Sequence, residues 1–261
     1  IDKDGNVTLS SEIPAGKPAA EKSAEDGTGE SQPLYMSLNH VMEYYIFAYY
    51  FQPATEVRCT DIPYGEYYRT YGQLALSMQK YNGAKKAYER AIAWNPVDLD
   101  AYLGLAEVYK YQNQREKYLT VTKQAYRYCC TRATMARYYR NMAFYYLSGY
   151  EPETARACYQ YSNVYYHTEN ADSELKYISE AIQQETPQTD IRAIQKLFDE
   201  KQIEPGPDSQ TIGIVYKVGE ILLKDGDYKL AKDCYSIVYD ITQDASAEKL
   251  LNELEAAIAG N

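Results

Sequence analysis

Small residues and tyrosines recur along this chain at a fixed interval, and that interval limits the folds open to it. Gly72, Ala84, Tyr88, Ala91 and Pro96 stand 12, 4, 3 and 5 positions apart. A shift of 34 carries Tyr71-Gly72 onto Leu105-Ala106 and Ala91 onto Ala125, and a further 37 carries Leu105, Ala106 and Tyr109 onto Met142, Ala143 and Tyr146. Ala84, Ala155 and Ala231, separated by 71 and 76, are each followed four residues later by a tyrosine: Tyr88, Tyr159 and Tyr235. Beyond Pro33 the apolar pattern suits helices, and no stretch alternates as a strand does. Two helices and a turn fit one such interval. A single helical pair cannot bury its apolar face, so repetition calls for a stack of pairs rather than one closed core.

The order W-x2-L-G-x2-Y, then A-x3-F, then P, belongs to tetratricopeptide repeats, and the chain resembles that family over 65–98, 99–132, 136–169 and 212–245. A further segment, 170–203, has the length of a hairpin without the small-residue signature. Tyrosine stands where the family often has Trp or Phe, which accounts for part of the 31 tyrosines against 4 phenylalanines. The second unit departs, with Tyr118 and Thr122 where Ala and an aromatic are expected. The resemblance implies an all-α, right-handed α-α superhelical solenoid of hairpins with capping helices. Gly72, Ala106, Ala143 and Gly219 would let the first helix of each pair approach the second. Asn95-Pro96 would end a second helix, because proline disfavours helical backbone in the residue before it. Cys158 and Cys234 share a repeat position with Ala87 and Val121, which marks them as core thiols.

Residues 34–51 contain the run Tyr44-Tyr45-Ile46-Phe47-Ala48-Tyr49-Tyr50-Phe51. Aromatic rings suit a membrane interface, but Asn39, His40 and Glu43 interrupt the run and no basic flank follows, so packing against the first repeat is expected. At the far end, 247–259 reads as an amphipathic capping helix with Leu250, Leu251, Leu254 and Ile258 on one side. Glu204-Pro205-Gly206-Pro207-Asp208-Ser209 is a break at which the solenoid is expected to bend. Residues 1–33, rich in Gly, Pro, Ser, Ala, Glu and Lys, read as a disordered tail or linker. With no leader at Ile1, a signal or anchor is expected to have been removed or never present, and membrane contact is expected only through an upstream segment.

The motifs of catalysis and nucleotide binding (GxSxG, the P-loop, GxGxxG, HExxH, the EF-hand loop) do not occur, and no cofactor or metal is expected. His40 and His167 lie far apart and read as surface or packing residues. The pairs Glu151/Glu153 and Asp225/Asp227 fall at turns and helix starts, where carboxylates cap and meet the helix dipole. Five cysteines, two adjacent and none in CxxC, make no disulfide framework and a poor zinc site. Reduced thiols point to the cytoplasm; an extracytoplasmic protein tethered through its N-terminal linker is the alternative.

Charge is distributed unevenly. Residues 58–140 hold 14 Lys/Arg against 7 Asp/Glu, 141–261 hold 10 against 21, and 1–57 hold 3 against 9. The basic section invites an acidic partner, the protein's own acidic tail, or a second copy. The family resemblance implies a concave face lined by the first helices. Carried over, its inward positions give Glu66, Arg69, Gln73 and Leu76; Asp100, Leu103, Glu107 and Lys110; and Arg137, Arg140, Phe144 and Leu147. Arg137 and Arg140 share a helix face with Asn141 beside them, and Arg69, Arg137 and Asn141 are reminiscent of the clamp with which some relatives grip a C-terminal carboxylate. Gly104 and Gln73 stand where that clamp would have Asn. The expected site is therefore Arg69, Gln73, Leu103, Glu107, Lys110, Arg137, Arg140, Asn141 and Phe144, holding a protein or peptide segment that is acidic or C-terminal. The competing reading is single-stranded nucleic acid on Tyr126-Arg127-Tyr128 and Arg137-Tyr138-Tyr139-Arg140, against which stands the acidic C-terminal half. A structural spacer in a larger assembly, with self-association through tyrosine surfaces, is the third.

Overall fold

A computed structural model describes residues 32–259; apart from Gln32 and Pro33, the expected tail lies outside the described residues. Two short parallel strands, β1 (Leu34–Met36) and β2 (Val57–Cys59), flank helix α1 (Val41–Phe51). They are the one departure from the all-helical expectation, three residues each being too short to show alternation. Eleven further helices follow among the described residues: α2 (Tyr64–Ser77), α3 (Tyr81–Trp94), α4 (Leu99–Tyr111), α5 (Arg115–Tyr126), α6 (Arg132–Ser148), α7 (Pro152–Tyr165), α8 (Glu169–Ile182), α9 (Ile191–Lys201), α10 (Ser209–Lys224), α11 (Tyr228–Thr242) and α12 (Ala245–Ala259).

The repeat interval is built into the turns. Gln79, Asn113, Tyr150 and Gly226 take left-handed backbone with φ of 58°, 55°, 61° and 82°, at spacings of 34, 37 and 76. Each sits between the helices of a pair, and the next amide reaches back to close the first helix: Lys80 to Ala75 at 2.8 Å, Gln114 to Tyr109 at 2.9 Å, Glu151 to Tyr146 at 3.0 Å and Asp227 to Leu222 at 2.9 Å. This is the six-residue closure that ends helices ahead of a reversal. Among the second helices, Asp227 caps α11 by accepting from Leu230 N–H and Pro152 stands in the first turn of α7, whereas Lys80, Gln114 and Glu151 make no side-chain cap. Glu151 does not cap; it pairs with Lys201 at 2.5 Å.

Within each pair the approach depends on absent side chains. A Cβ at Gly72 would lie 3.0 Å from the Tyr88 ring, and one at Gly219 would lie 3.0 Å from the Tyr235 ring. The glycine-to-tyrosine spacing therefore marks the seam inside a hairpin. The helices α2 to α7 pack in chain order, and α7 receives both α8 and α9. The chain is an α-helical solenoid of stacked hairpins with three cores: one over β1, α1 and α2–α5, one over α6–α9, and one over α10–α12.

Two expectations are corrected. The segment 34–51 does more than cap the first repeat: Ile46 and Phe47 join the first core, while Val41, Met42 and Tyr45 pack against the third. Tyr50 donates to Asp208 at 2.8 Å and meets the Thr211 hydroxyl at 2.8 Å, and Tyr49 donates to Gln210 at 2.7 Å. The principal neighbours of α10 are thus α11 and α1. The break at 204–208 accordingly redirects the last hairpin onto the N-terminal helix, and it is held by hydroxyls from Tyr126 to Gly206 O (3.0 Å), Tyr139 to Glu204 O (2.8 Å) and Tyr161 to Pro205 O (2.5 Å). In α12, Leu254 is buried but Ile258 is 42% exposed, so it takes no part in the seal.

Candidate functional site

The first helices α2, α4 and α6, with the start of α3, enclose a cleft of about 530 Å³. Gln73, Leu76, Ser77 and Gln79 form one wall, Asp100, Gly104, Glu107 and Tyr111 the facing wall, and Arg137 of α6 closes an end. Tyr81 and Tyr111 stack at 5.6 Å between ring centroids on the rim, with Tyr111 61% exposed. Tyr88 forms the floor. Its ring lies between Gly72 and Gly104, and a Cβ at Gly104 would fall 2.7 Å from the Tyr88 hydroxyl. An asparagine at 104, which a carboxylate clamp would need, is therefore excluded by the tyrosine already in that space. Burial raises the Tyr88 phenol to about 12, with Arg137 pulling it down and Glu107 pushing it up.

The expected residues divide into three groups. Gln73, Glu107 and Arg137 line the cleft. Arg69 is committed elsewhere: its guanidinium bonds Asp100 at 2.9 Å and lies 3.6 Å from Asp98. Lys110 sits over the Phe144 ring at 4.4 Å from its centroid, and that ring meets Tyr118 edge-on, so both serve packing between α4 and α6. Leu103 is not on the groove; it is 2% exposed in the first core, because α4 is buried on nearly every side. Asn141 is 6% exposed, its amide nitrogen without a hydrogen-bond partner. Arg140 reaches the Tyr166 carbonyl at 3.5 Å, and burial, followed by the charge of Arg137, lowers its pKa.

Arg137 is half-buried and, among the described residues, makes neither hydrogen bond nor ion pair; the same holds for Glu107. The two carry opposite charges in one cleft yet do not close. One step earlier Arg69 and Asp100 do.

The sequence pattern did not disclose the aromatic lining, since Tyr88 was absorbed into packing as a repeat residue and Tyr81 and Tyr111 were not singled out, and it did not disclose Asp98. That residue is 2% exposed, caps α4 by accepting from Ala101 N–H at 3.1 Å, and leaves its second carboxylate oxygen unpartnered. Burial raises its carboxyl to about 6 against the pull of Arg69. Nothing local in the sequence revealed its burial. His40 caps α1 and His167 pairs with Asp172 at 2.7 Å. Of the thiols, Cys158 and Cys234 are buried as expected of core positions, Cys129 is buried as well, and Cys59 is exposed on β2.

No family model matches the chain, and no curated protein matches it. The solved structures to which the chain is similar include the following. The APC/C hetero-tetramer Cut9-Hcn1 aligns at 14% identity and a TM-score of 0.43, over 76% of this chain and 38% of that one, so the chain spans well under half of its length. YrrB, described as a TPR protein with an unusual peptide-binding site, aligns at 14% identity and 0.37, over 82% and 97% of the two chains. MamA aligns at 13% identity and 0.32, over 75% and 88%.

Proposed function

We propose that the protein is a non-catalytic scaffold whose cleft between α2, α4 and α6 holds a segment of a partner protein, with Arg137 taking a carboxylate. The observation that carries this reading is the unpaired Arg137 guanidinium on the cleft wall. A partly desolvated charge without a partner is unfavourable, and a carboxylate laid against a guanidinium forms two parallel, charge-assisted hydrogen bonds. Arg140, one turn along the same helix, adds a second cation.

The nucleic-acid alternative loses its stacking surface. Tyr128, Tyr138 and Tyr139 are 8%, 1% and 0% exposed, Tyr126 packs on Tyr138 at 5.1 Å, and Arg127 lies over the Tyr50 ring. Rings consumed in packing offer no free face to a base.

The test begins with random dodecapeptides displayed on phage and selected on the wild-type protein, followed by titration of the enriched peptides against Arg137→Glu/Arg140→Glu. Binding should fall at least 100-fold while the circular-dichroism spectrum is unchanged. Undiminished affinity of every enriched peptide would reject the reading.

A further inference from the structure

We propose that two copies of this chain associate through the outer face of α2, laid antiparallel against the same helix of a second copy. That face is separate from the cleft. Tyr67, Tyr71, Leu74 and Met78 stand 4, 3 and 4 positions apart on α2. At about 100° and 1.5 Å per residue they fall within about 60° of one another, a single stripe about 17 Å long. Tyr67 is 61% exposed, Leu74 50% and Met78 53%, with Tyr71 half-buried, and none of the four lines the cleft.

The repeat shows what such a stripe receives. A shift of 34 carries Tyr67, Tyr71 and Leu74 onto Ala101, Leu105 and Val108 of α4, and a further 37 carries the first two onto Tyr138 and Met142 of α6. All five of those residues are buried. On α4 they share the side of Gly104, which lies so close to Tyr88 of the preceding hairpin that a Cβ would stand 2.7 Å from its hydroxyl. At these positions a first helix is covered by the hairpin before it. The main helical neighbours of α2 are α3 and α4, on its other sides, and its stripe leaves large apolar side chains in solvent. A hairpin that closes a stack needs a polar outer side to stay in solution. A contiguous apolar stripe in that place marks an interface.

The order of side chains along the stripe selects its occupant. The spacing reads the same from either end, so a two-fold axis between Tyr71 and Leu74 brings the helix into register with itself. Tyr67 of each copy then meets Met78 of the other, and Tyr71 meets Leu74, a ring against a thioether or an aliphatic side chain at all four contacts. Charge agrees with this arrangement. Glu66 lies at one end of the stripe and Lys80 just past the other; both are exposed, and neither forms an ion pair among the described residues. Antiparallel copies place Glu66 beside Lys80 at both ends, whereas parallel copies would set like charge beside like.

Sedimentation equilibrium of the full chain tests this, with Leu74→Glu, Glu66→Lys, Lys80→Glu and the last two combined. Wild type should sediment as a dimer that dissociates on dilution. Leu74→Glu should weaken association about 100-fold or more, because two leucines leave the interface and two carboxylates enter it. Its circular-dichroism spectrum should be unchanged, since Leu74 already stands half in solvent. Each single charge reversal should weaken association about threefold or more, and the two together should restore it. A photoreactive residue placed at 74 should attach to 67–78 of a second copy, read by mass spectrometry on mixed light and heavy isotope-labelled chains. A wild type that stays monomeric, a dimer indifferent to Leu74→Glu, a double reversal that restores nothing, or attachment of position 74 to residues 1–31 of its own chain would overturn the proposal. None of these results bears on the cleft, which Leu74 does not line.

Discussion

Replacing Gly104 with alanine tests whether the hairpins meet as described. Gly104 lies within α4, where the same change at an open site gains about 1 kcal/mol from helix propensity. Here the added methyl would stand 2.7 Å from the Tyr88 hydroxyl and closer still to ring carbons. The ring cannot withdraw, because it is 1% exposed and the backbone at Gly72 bounds it from the other side, with a Cβ there only 3.0 Å away. Forced insertion into a packed core costs about 1–3 kcal/mol, and confinement on both faces places this site at or above the upper end of that range. The net loss should be about 2 kcal/mol. Gly213 provides the control: it lies in α10, and a methyl added there would meet nothing within 4 Å. Gly213→Ala should gain about 1 kcal/mol. Thermal unfolding of both variants reads the difference. For a domain this size 1 kcal/mol moves the midpoint by about 2–4 °C, so Gly104→Ala should fall by about 4–8 °C and Gly213→Ala rise by about 2–4 °C. Equal behaviour of the two would refute the seam.

Other predictions follow from particular groups. Asp98, raised to about 6 by burial, holds a proton in the folded chain that the unfolded chain releases near 4. Its contribution is greatest at acid pH, declines as pH rises through that window and is flat above it. Asp98→Asn, which keeps a capping side chain, should remove up to about 3 kcal/mol of that decline in denaturation measured from pH 4 to 6.5; an unchanged slope would contradict the burial argument. Changing Tyr126, Tyr139 and Tyr161 together to Phe removes three hydroxyls from the 204–206 carbonyls. At about 1 kcal/mol each, the loss should make 204–208 the first site of limited proteolysis, whereas an unaltered cleavage pattern would show the linker is held otherwise. An aromatic disulfide reagent at neutral pH should label Cys59 rapidly, with Cys129, Cys158 and Cys234 reacting only on unfolding; burial raises all three of those thiols. Fast reaction of a second thiol would argue against the packing.

The parts of the molecule legible in the sequence are those fixed by local geometry. Gly72 with Tyr88 and Gly219 with Tyr235 announce the hairpin seam because a missing Cβ and a ring must coincide at one spacing. The left-handed residues at 79, 113 and 150 keep the same interval although glutamine, asparagine and tyrosine fill them, so glycine-based turn signals did not reveal them. Long-range choices were hidden. Nothing near Tyr49 or Tyr50 tells that their hydroxyls meet residues of α10, and so the return of the last hairpin onto α1 could not be read. Leu103 was assigned to the groove by its position in the repeat, but α4 lies between two hairpins and buries it.

Cross-link mapping tests the central claim most directly. An arginine-dependent peptide carrying a photoreactive residue at its centre is irradiated on the wild-type protein and the attached fragments are sequenced. Attachment should fall within 69–77, 100–111 and 137–144, on the helices that bound the cleft. Attachment confined to α5, α7 or α11 would contradict it.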